Sequence, residues 1–393
     1  MISVTEAKAI IDQQVSSLPP IVLPISKAAG LVLAKDIHAT TDIPNFRQSS
    51  MDGYAVKYEP GRLVFELAGE MAAGAMTQLE IQGHQAVRIF TGAPLPMGAD
   101  TVVMQEKVVV ENGQVIVDKD AMQQFQHVRE RGAEIKADAL AMQKGTVLSP
   151  AAIGFLAGIG VAAVSVIPAP KVCIILTGNE LQEPGQSLAF GQVYEANSVM
   201  LRAVLSELGI TDVTIQRAED DLHVLQGILS QALSEADLVL LTGGVSVGDY
   251  DFVVAAAKNC GIKQGFHKIK QKPGKPLFFG LKYQKVVFGL PGNPSSVLSC
   301  FYQYVVPALG RMLNKDISLK RSNAVLAFDY PKAPGLTHFL KGRYKDGQAM
   351  ALHAQESFRL HSFAQADCMI VLEASRGDYQ AGDAVEIYLI PGC

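Results

Sequence analysis

The sequence predicts an α/β plus β protein: a three-layer α/β domain over residues 171–317, a β domain before it and a small β-barrel after it. Three observations predict this. Between residues 171 and 317, short apolar runs alternate with amphipathic helical stretches, the pattern of a mainly parallel sheet covered by helices. In residues 106–118, two β-branched runs flank Asn112-Gly113, the turn pair of a tight hairpin. Beyond residue 318 the pattern returns to strands, with a second hairpin turn at Asp346-Gly347.

Taken in order, residues 3–16 read as an amphipathic helix carrying Glu6 and Asp12, unlike a signal peptide. Residues 21–39 turn strand-like, broken at Pro24 and Gly30, and a loop follows to residue 56. Residues 46–134 form an inserted β domain, between the pieces 1–45 and 135–170 of a first domain. Residues 151–167 are almost free of polar groups, but 17 residues are too few for a comfortable membrane span. Ser149-Pro150 marks a helix start, so the segment reads as a buried helix from about 150, a glycine stop near 158–160 and then a strand.

In the α/β region, residues 171–177 are a buried strand, 197–209 a helix, 211–217 a strand, 220–233 a helix and 236–242 a strand. Residues 252–259 are a helix, 276–281 and 285–290 pair as strands, and 294–312 are one long helix. The tail, 318–393, is the barrel.

Bulk properties exclude several classes. The 393 residues are 49% hydrophobic and 18% charged, which describes a well-buried globular protein. A net charge of -4 and a pI near 6.1 leave no basic footprint for nucleic acid. Five scattered cysteines without a CxxC favour reduced thiols in the cytoplasm over disulfides or zinc, and eight histidines form no HExxH.

Polar residues gather where an α/β sheet places its ligand, beyond the carboxyl ends of the strands. Thr177-Gly178-Asn179-Glu180 follows the first strand and Asp220 the second. Residues 242–251, TGGVSVGDYD, follow the third, and residues 289–294, GLPGNP, open the long helix. Gly243, Gly244 and a helix N-terminus offer backbone N–H groups to phosphate, and carboxylates beside them suit a divalent cation. The Gly243–Gly248 spacing matches a P-loop, but Asp249 stands where its Lys is required, so that reading fails. Taken alone, this segment is equally an ordinary strand–turn–helix connection.

Lys268, Lys270, Lys272 and Lys275 follow in HKIKQKPGKP. An extended strand would put the first three on one face, where they repel unless solvated or paired with an anion. Pro273 and Pro276 stiffen the segment. With Glu180, Asp220 and Asp251, these lysines point to a phosphate-plus-metal substrate, the acids holding Mg²⁺. Asp52 and Thr91 have plain alternatives, an Asp-Gly turn and a strand end.

The ordered motifs SSMDGYAV, TGAPLPMGADTVVMQE, TGNEL, TGGVSVGDYD, KPGKP and GLPGNPSS span most of the chain. They resemble the molybdopterin molybdenumtransferase family, whose domain also forms the C-terminal part of gephyrin. The resemblance implies an elongated four-domain homodimer in which an active site forms between the α/β domain of one subunit and the N-terminal β region of the other. It implies molybdate insertion into adenylylated molybdopterin with release of AMP. Catalytic roles then fall to Asp52, Thr91, Glu180, Asp220 and Asp251, the last three also as Mg²⁺ ligands. Substrate contacts fall to Asn197, Gly243, Gly244, Ser246, Lys268, Lys272, Lys275, Pro291 and Pro294. Lys272, Lys275, Lys341 and Ser357 match molybdate positions.

Lys341 stands where the family usually has Arg, and Glu356 where Gly is common; both predict weaker molybdate binding. A molybdopterin adenylyltransferase and the apo-molybdoenzymes are the implied partners, with no nucleic acid or membrane. Two other functions stay open: adenylyltransferase activity, because that enzyme shares the α/β domain, and a non-catalytic, gephyrin-like scaffold.

Overall fold

Ser3 accepts from the Glu6 N–H while Glu6 reaches back to the Ser3 N–H, so a capping box starts the helix Val4–Gln14. The computed structural model describes residues 1–244 and 252–391. Contacts divide the chain into two compact units. One comprises residues 1–22, 30–32 and 165–393, the other residues 23–29 and 33–164. The N-terminal helix therefore clusters with the α/β region rather than with residues 135–164. Its Lys8 reaches Gln303, and the Leu18 N–H donates to the Met312 carbonyl.

In the second unit, six strands between Gly53 and Val117 form one sheet. The expected hairpin is Val108–Glu111 paired with Gln114–Val117. Asn112 (φ 49°) and Gly113 (φ 79°) both adopt the left-handed backbone that a type I′ turn requires. Helix Pro150–Gly158 starts at the Ser149 cap, and strand Ala163–Ile167 follows. The helix is not buried as expected: only Leu156 is. Ala and Gly give it no wide apolar face to cover. Among the described residues, no helix is long and apolar enough to cross a membrane.

The α/β domain runs β1 (Val172–Thr177), α1 (Asn197–Glu207), β2 (Val213–Ala218), α2 (Leu222–Glu235), β3 (Leu238–Thr242), α3 (Phe252–Asn259), β4 (Lys263–His267), β5 (Phe278–Lys282), β6 (Lys285–Leu290) and α4 (Pro294–Cys300). The sheet order is β2-β1-β3-β6-β5-β4. β1, β2, β3 and β6 are parallel, and β5 and β4 antiparallel. β1 and β3 are buried at every position, as unbroken apolar runs at the centre of a parallel sheet must be. β2 is an edge strand and buries only Ala218 fully. The chain leaves β1 towards β2, then crosses back to β3. Right-handed crossovers therefore put α1 and α2 on opposite faces. α2 and α3 bury Leu225, Leu229, Val253 and Ala256 against Cys173, Ile175, Val239 and Leu241.

The long helix after β6 runs to Leu313, with a π turn at Phe301–Val305 before Val306–Leu313. Pro307 lacks an N–H and crowds the preceding turn, which gives a physical reason for the wider loop there.

In the C-terminal region, Arg321–Leu326, Thr337–Lys345, Gln348–Ala351, Cys368–Leu372 and Ala384–Leu389 close into a five-stranded barrel. Asp346 and Gly347, both at positive φ, turn its hairpin. Its core holds Leu340, Ile370, Leu372 and Ile387.

Candidate active site

The strand order reverses at β1 and β3, so their carboxyl ends diverge and leave a crevice. A cavity of about 700 Å³ lies there. It gathers Glu180, Asn197, Asp220, Gly243, Gly244, Pro291 and Pro294, residues separated by up to 114 positions in sequence (294 − 180). Asp220 enters just after β2, where Asp221 caps α2 by accepting from the N–H groups of His223 and Val224. Those bonds hold the Asp221 carboxyl below its usual range and leave Asp220 to the cavity.

Gly243 fits here because nothing larger does. Its φ is 86°, and a Cβ would lie 2.7 Å from Thr177 Oγ1 and 2.8 Å from the Thr177 carbonyl. Two bare glycines thus bring backbone to the cavity wall. Asn197, at the start of α1, donates through Nδ2 to the Gly292 carbonyl at 2.9 Å. Its buried Oδ1 has no partner among the described residues, so an acceptor waits at the cavity edge. Glu195 is not a ligand. It is buried, accepts from the Ser198 N–H and hydroxyl, and fixes the start of α1.

The lysines behave differently from expectation. Lys268 has a φ of 72° and ends the strand, so Lys268, Lys270 and Lys272 do not share one extended face. The Lys268 N–H donates to Leu277 O and the Ile269 N–H to Lys275 O, which folds the segment into a tight loop. Pro276 lines the cavity, but Lys268, Lys272 and Lys275 are not among the lining residues. Lys272 and Lys275 are exposed.

Lys341 needs the larger correction. It is 3% exposed, and its Nζ donates to the carbonyls of Ala354 (2.8 Å), Glu356 (3.3 Å) and Arg359 (3.0 Å). An ammonium has three protons, so none remains for molybdate. Glu356 pairs with Arg359 at 3.3 Å, which offsets its charge. The expected penalty on molybdate binding therefore loses both of its supports. Ser357 is not among the lining residues either, but its hydroxyl accepts at 2.8 Å from Nδ2 of Asn293, which is. Ser246 and Asp251 lie outside the described residues.

In the other unit, Asp52 and Thr91 meet. Asp52 Oδ1 accepts from the Thr91 N–H at 2.7 Å and from its hydroxyl at 2.8 Å. The Thr91 N–H, then its hydroxyl, hold the Asp52 carboxyl below its usual range. Spacing could not pair residues 39 positions apart. The lining residues Tyr194 and Phe358 also went unread in the sequence, because no periodicity marks them, while Asn293 was legible only as part of GLPGNP.

The comparisons with known proteins agree with this geometry. Residues 2–160 match the family described as "MoeA N-terminal region (domain I and II)", 173–311 "Probable molybdopterin binding domain" and 323–390 "MoeA C-terminal region (domain IV)". A curated molybdopterin molybdenumtransferase of Haemophilus influenzae is 34% identical over 93% of this chain and 92% of its own length. The chain belongs to the molybdopterin molybdenumtransferase family. A Staphylococcus aureus member is 32% identical over 99% of this chain and 95% of its own. The crystal structure of a molybdopterin biosynthesis MoeA protein from Pyrococcus horikoshii matches with a TM-score of 0.84 and 28% identity over 100% of both chains. The chain is accordingly an enzyme of molybdenum cofactor biosynthesis.

Proposed function

We propose that the chain inserts molybdenum into adenylylated molybdopterin, hydrolysing the pyrophosphate bond and releasing AMP. The cavity at the β1/β3 crevice carries this reading. It joins a glycine backbone, two carboxylates and a free amide oxygen in one space large enough for a nucleotide-sized ligand. The Gly244 N–H, with the start of the long helix at Pro294, would cradle phosphate oxygens, while the Gly243 N–H donates to Leu290 O and its bare Cα lets the ligand approach. Pro291 and Pro294 would fix the shape of that loop. Asn197 Oδ1 would accept an N–H from a ring of the ligand or an O–H from its ribose.

Glu180 and Asp220 fit Mg²⁺. Both are hard oxygen donors on the cavity wall, and neither has an ion-pair partner among the described residues. Asp251 would complete the set. Mg²⁺ would neutralise phosphate charge when bound. Lys272 and Lys275, exposed on the loop that delivers Pro276 to the cavity, would attract molybdate, and Ser357 and Lys268 would contribute to holding it. Water then adds across the P–O–P bond, and AMP departs as molybdopterin keeps the metal.

In this reading the chain is a cytoplasmic homodimer, and Asp52 and Thr91 serve the site of the other subunit. An adenylyltransferase supplies the substrate and apo-molybdoenzymes take the product. Sedimentation equilibrium tests the dimer; a single 42 kDa species across micromolar concentrations would refute it. Asp220→Ala tests the site. Loss of AMP release with an unchanged melting transition is expected, and full activity would remove Asp220 from it.

A further inference from the structure

Residues 352–362 begin the connection between the barrel strands Gln348–Ala351 and Cys368–Leu372, and side-chain hydrogen bonds to backbone carbonyls brace them. Lys341 holds three of the carbonyls. Gln355 Nε2 donates to Lys341 O at 2.8 Å and to Leu352 O at 2.7 Å, while the Lys341 N–H donates to Gln355 Oε1 at 3.0 Å. Ser362 Oγ donates to Ala354 O at 2.8 Å. Burying an ammonium costs desolvation, recovered here by a complete carbonyl cage. What the brace presents is Phe358. The residue is 61% exposed, it lines the cavity that holds Glu180 and Asp220, and Ser357 beside it is tied to Asn293.

The Arg359 guanidinium lies 5.6 Å from the ring centroid on one side, so the ring has its other face for a flat partner across the polar cavity. We propose that Phe358 is the stacking plane for a heteroaromatic ring of the substrate, and that Lys341 is a positioning residue that holds the loop in place. This rests on the function proposed above, whose substrate carries two such rings, a pterin and an adenine. Tyr194 is the other aromatic residue of the lining. Its hydroxyl is bound to Gln186 O, and no comparable brace supports it.

The chain has no tryptophan, so Phe358→Trp introduces a single fluorophore at the proposed contact. AMP, pterin-6-carboxylate and ribose 5-phosphate are titrated separately. Saturable quenching by AMP identifies the adenine, quenching by the pterin identifies that ring, and ribose 5-phosphate leaves the emission unchanged. With adenylylated molybdopterin, Phe358→Ala should raise KM by about 5- to 150-fold, the range of one lost stacking contact, with a smaller effect on kcat. Phe358→Tyr should restore it.

Adding Lys341→Met, or Ser362→Ala if that variant lacks a cooperative melt, should weaken the quench while the melt persists. The proposal is overturned if neither ring quenches and Phe358→Ala leaves KM within twofold. If quenching occurs but the parent never releases AMP, the ring site stands and the proposed reaction fails.

Discussion

Gly243→Ala probes the crevice most directly. At a φ of 86°, a side chain occupies the left-handed region, which costs an L residue about 1–2 kcal/mol. The new methyl would also meet Thr177 Oγ1 at 2.7 Å and Thr177 O at 2.8 Å. Thr177 ends a strand buried on both faces, and its hydroxyl donates to Thr242 O at 3.2 Å, so it cannot retreat without disturbing β1 or β3. Overpacking of this kind adds about 1–3 kcal/mol. The sum, about 2–5 kcal/mol, should lower the melting temperature of a unit this size by roughly 5–15 °C. Gly292→Ala is the control. Its Cβ would meet only Gly243 Cα, at 3.8 Å, an ordinary contact, and a change within about 0.5 kcal/mol is expected. Differential scanning calorimetry of both variants, with AMP affinity measured alongside, decides the matter. If Gly243→Ala melts with Gly292→Ala and binds AMP like the parent, the close approach of glycine backbone to Thr177 is not what shapes the site.

Three further outcomes are expected. Lys341→Met takes the ammonium from three carbonyls of the barrel loop, which keep the Ser362 hydroxyl and the Arg359 N–H as donors, and should cost about 1–3 kcal/mol in urea unfolding, while surface variants such as Lys345→Met stay near zero. The His338 imidazole is pushed down to about 4 by burial, then by the charges of Lys332 and Lys272. It is neutral when folded and protonates on unfolding below its ordinary value of 6.5, so stability should fall as pH drops from 6.5 to 4; His338→Gln should flatten that part of a Tm–pH profile. The Asp52 carboxyl is held down by the Thr91 N–H and hydroxyl, so its charge persists below the ordinary carboxylate pKa. Its contribution to stability should be present above 3.8 and vanish only at more acid pH, so Asp52→Asn should lower Tm slightly at neutral pH as well as slow AMP release; an unchanged rate removes Asp52 from the chemistry.

Local chemistry made much of this molecule legible. Asn112-Gly113 and Asp346-Gly347 dictate their hairpins, because only such pairs tolerate two successive left-handed residues. Apolar runs as continuous as β1 and β3 belong in the middle of a parallel sheet. Once the sheet was parallel, Glu180, Asp220, Gly243 and Pro291 had to converge at its carboxyl edge. What spacing cannot supply is burial and direction. Lys341 looks like an anion ligand in a sequence and proves to be a carbonyl clamp, because only the closed barrel shows that its amine points into a cage. The lysine stretch fails as a strand at one residue, Lys268, whose positive φ no alternation pattern reveals. The Asp52–Thr91 pair and the placement of Phe358 come from strands and loops far apart in the chain. Alanine and glycine made residues 150–158 look like a core helix, yet an apolar composition with no bulk has little to bury.

The decisive measurement is AMP release from adenylylated molybdopterin with Mg²⁺, in the presence and absence of molybdate. The account expects release that depends on molybdate, fails in Asp220→Ala, and yields a product that reactivates a cofactor-free molybdoenzyme. Tight binding of the substrate with no release under either condition would contradict it, and would leave the cavity as the pocket of a carrier.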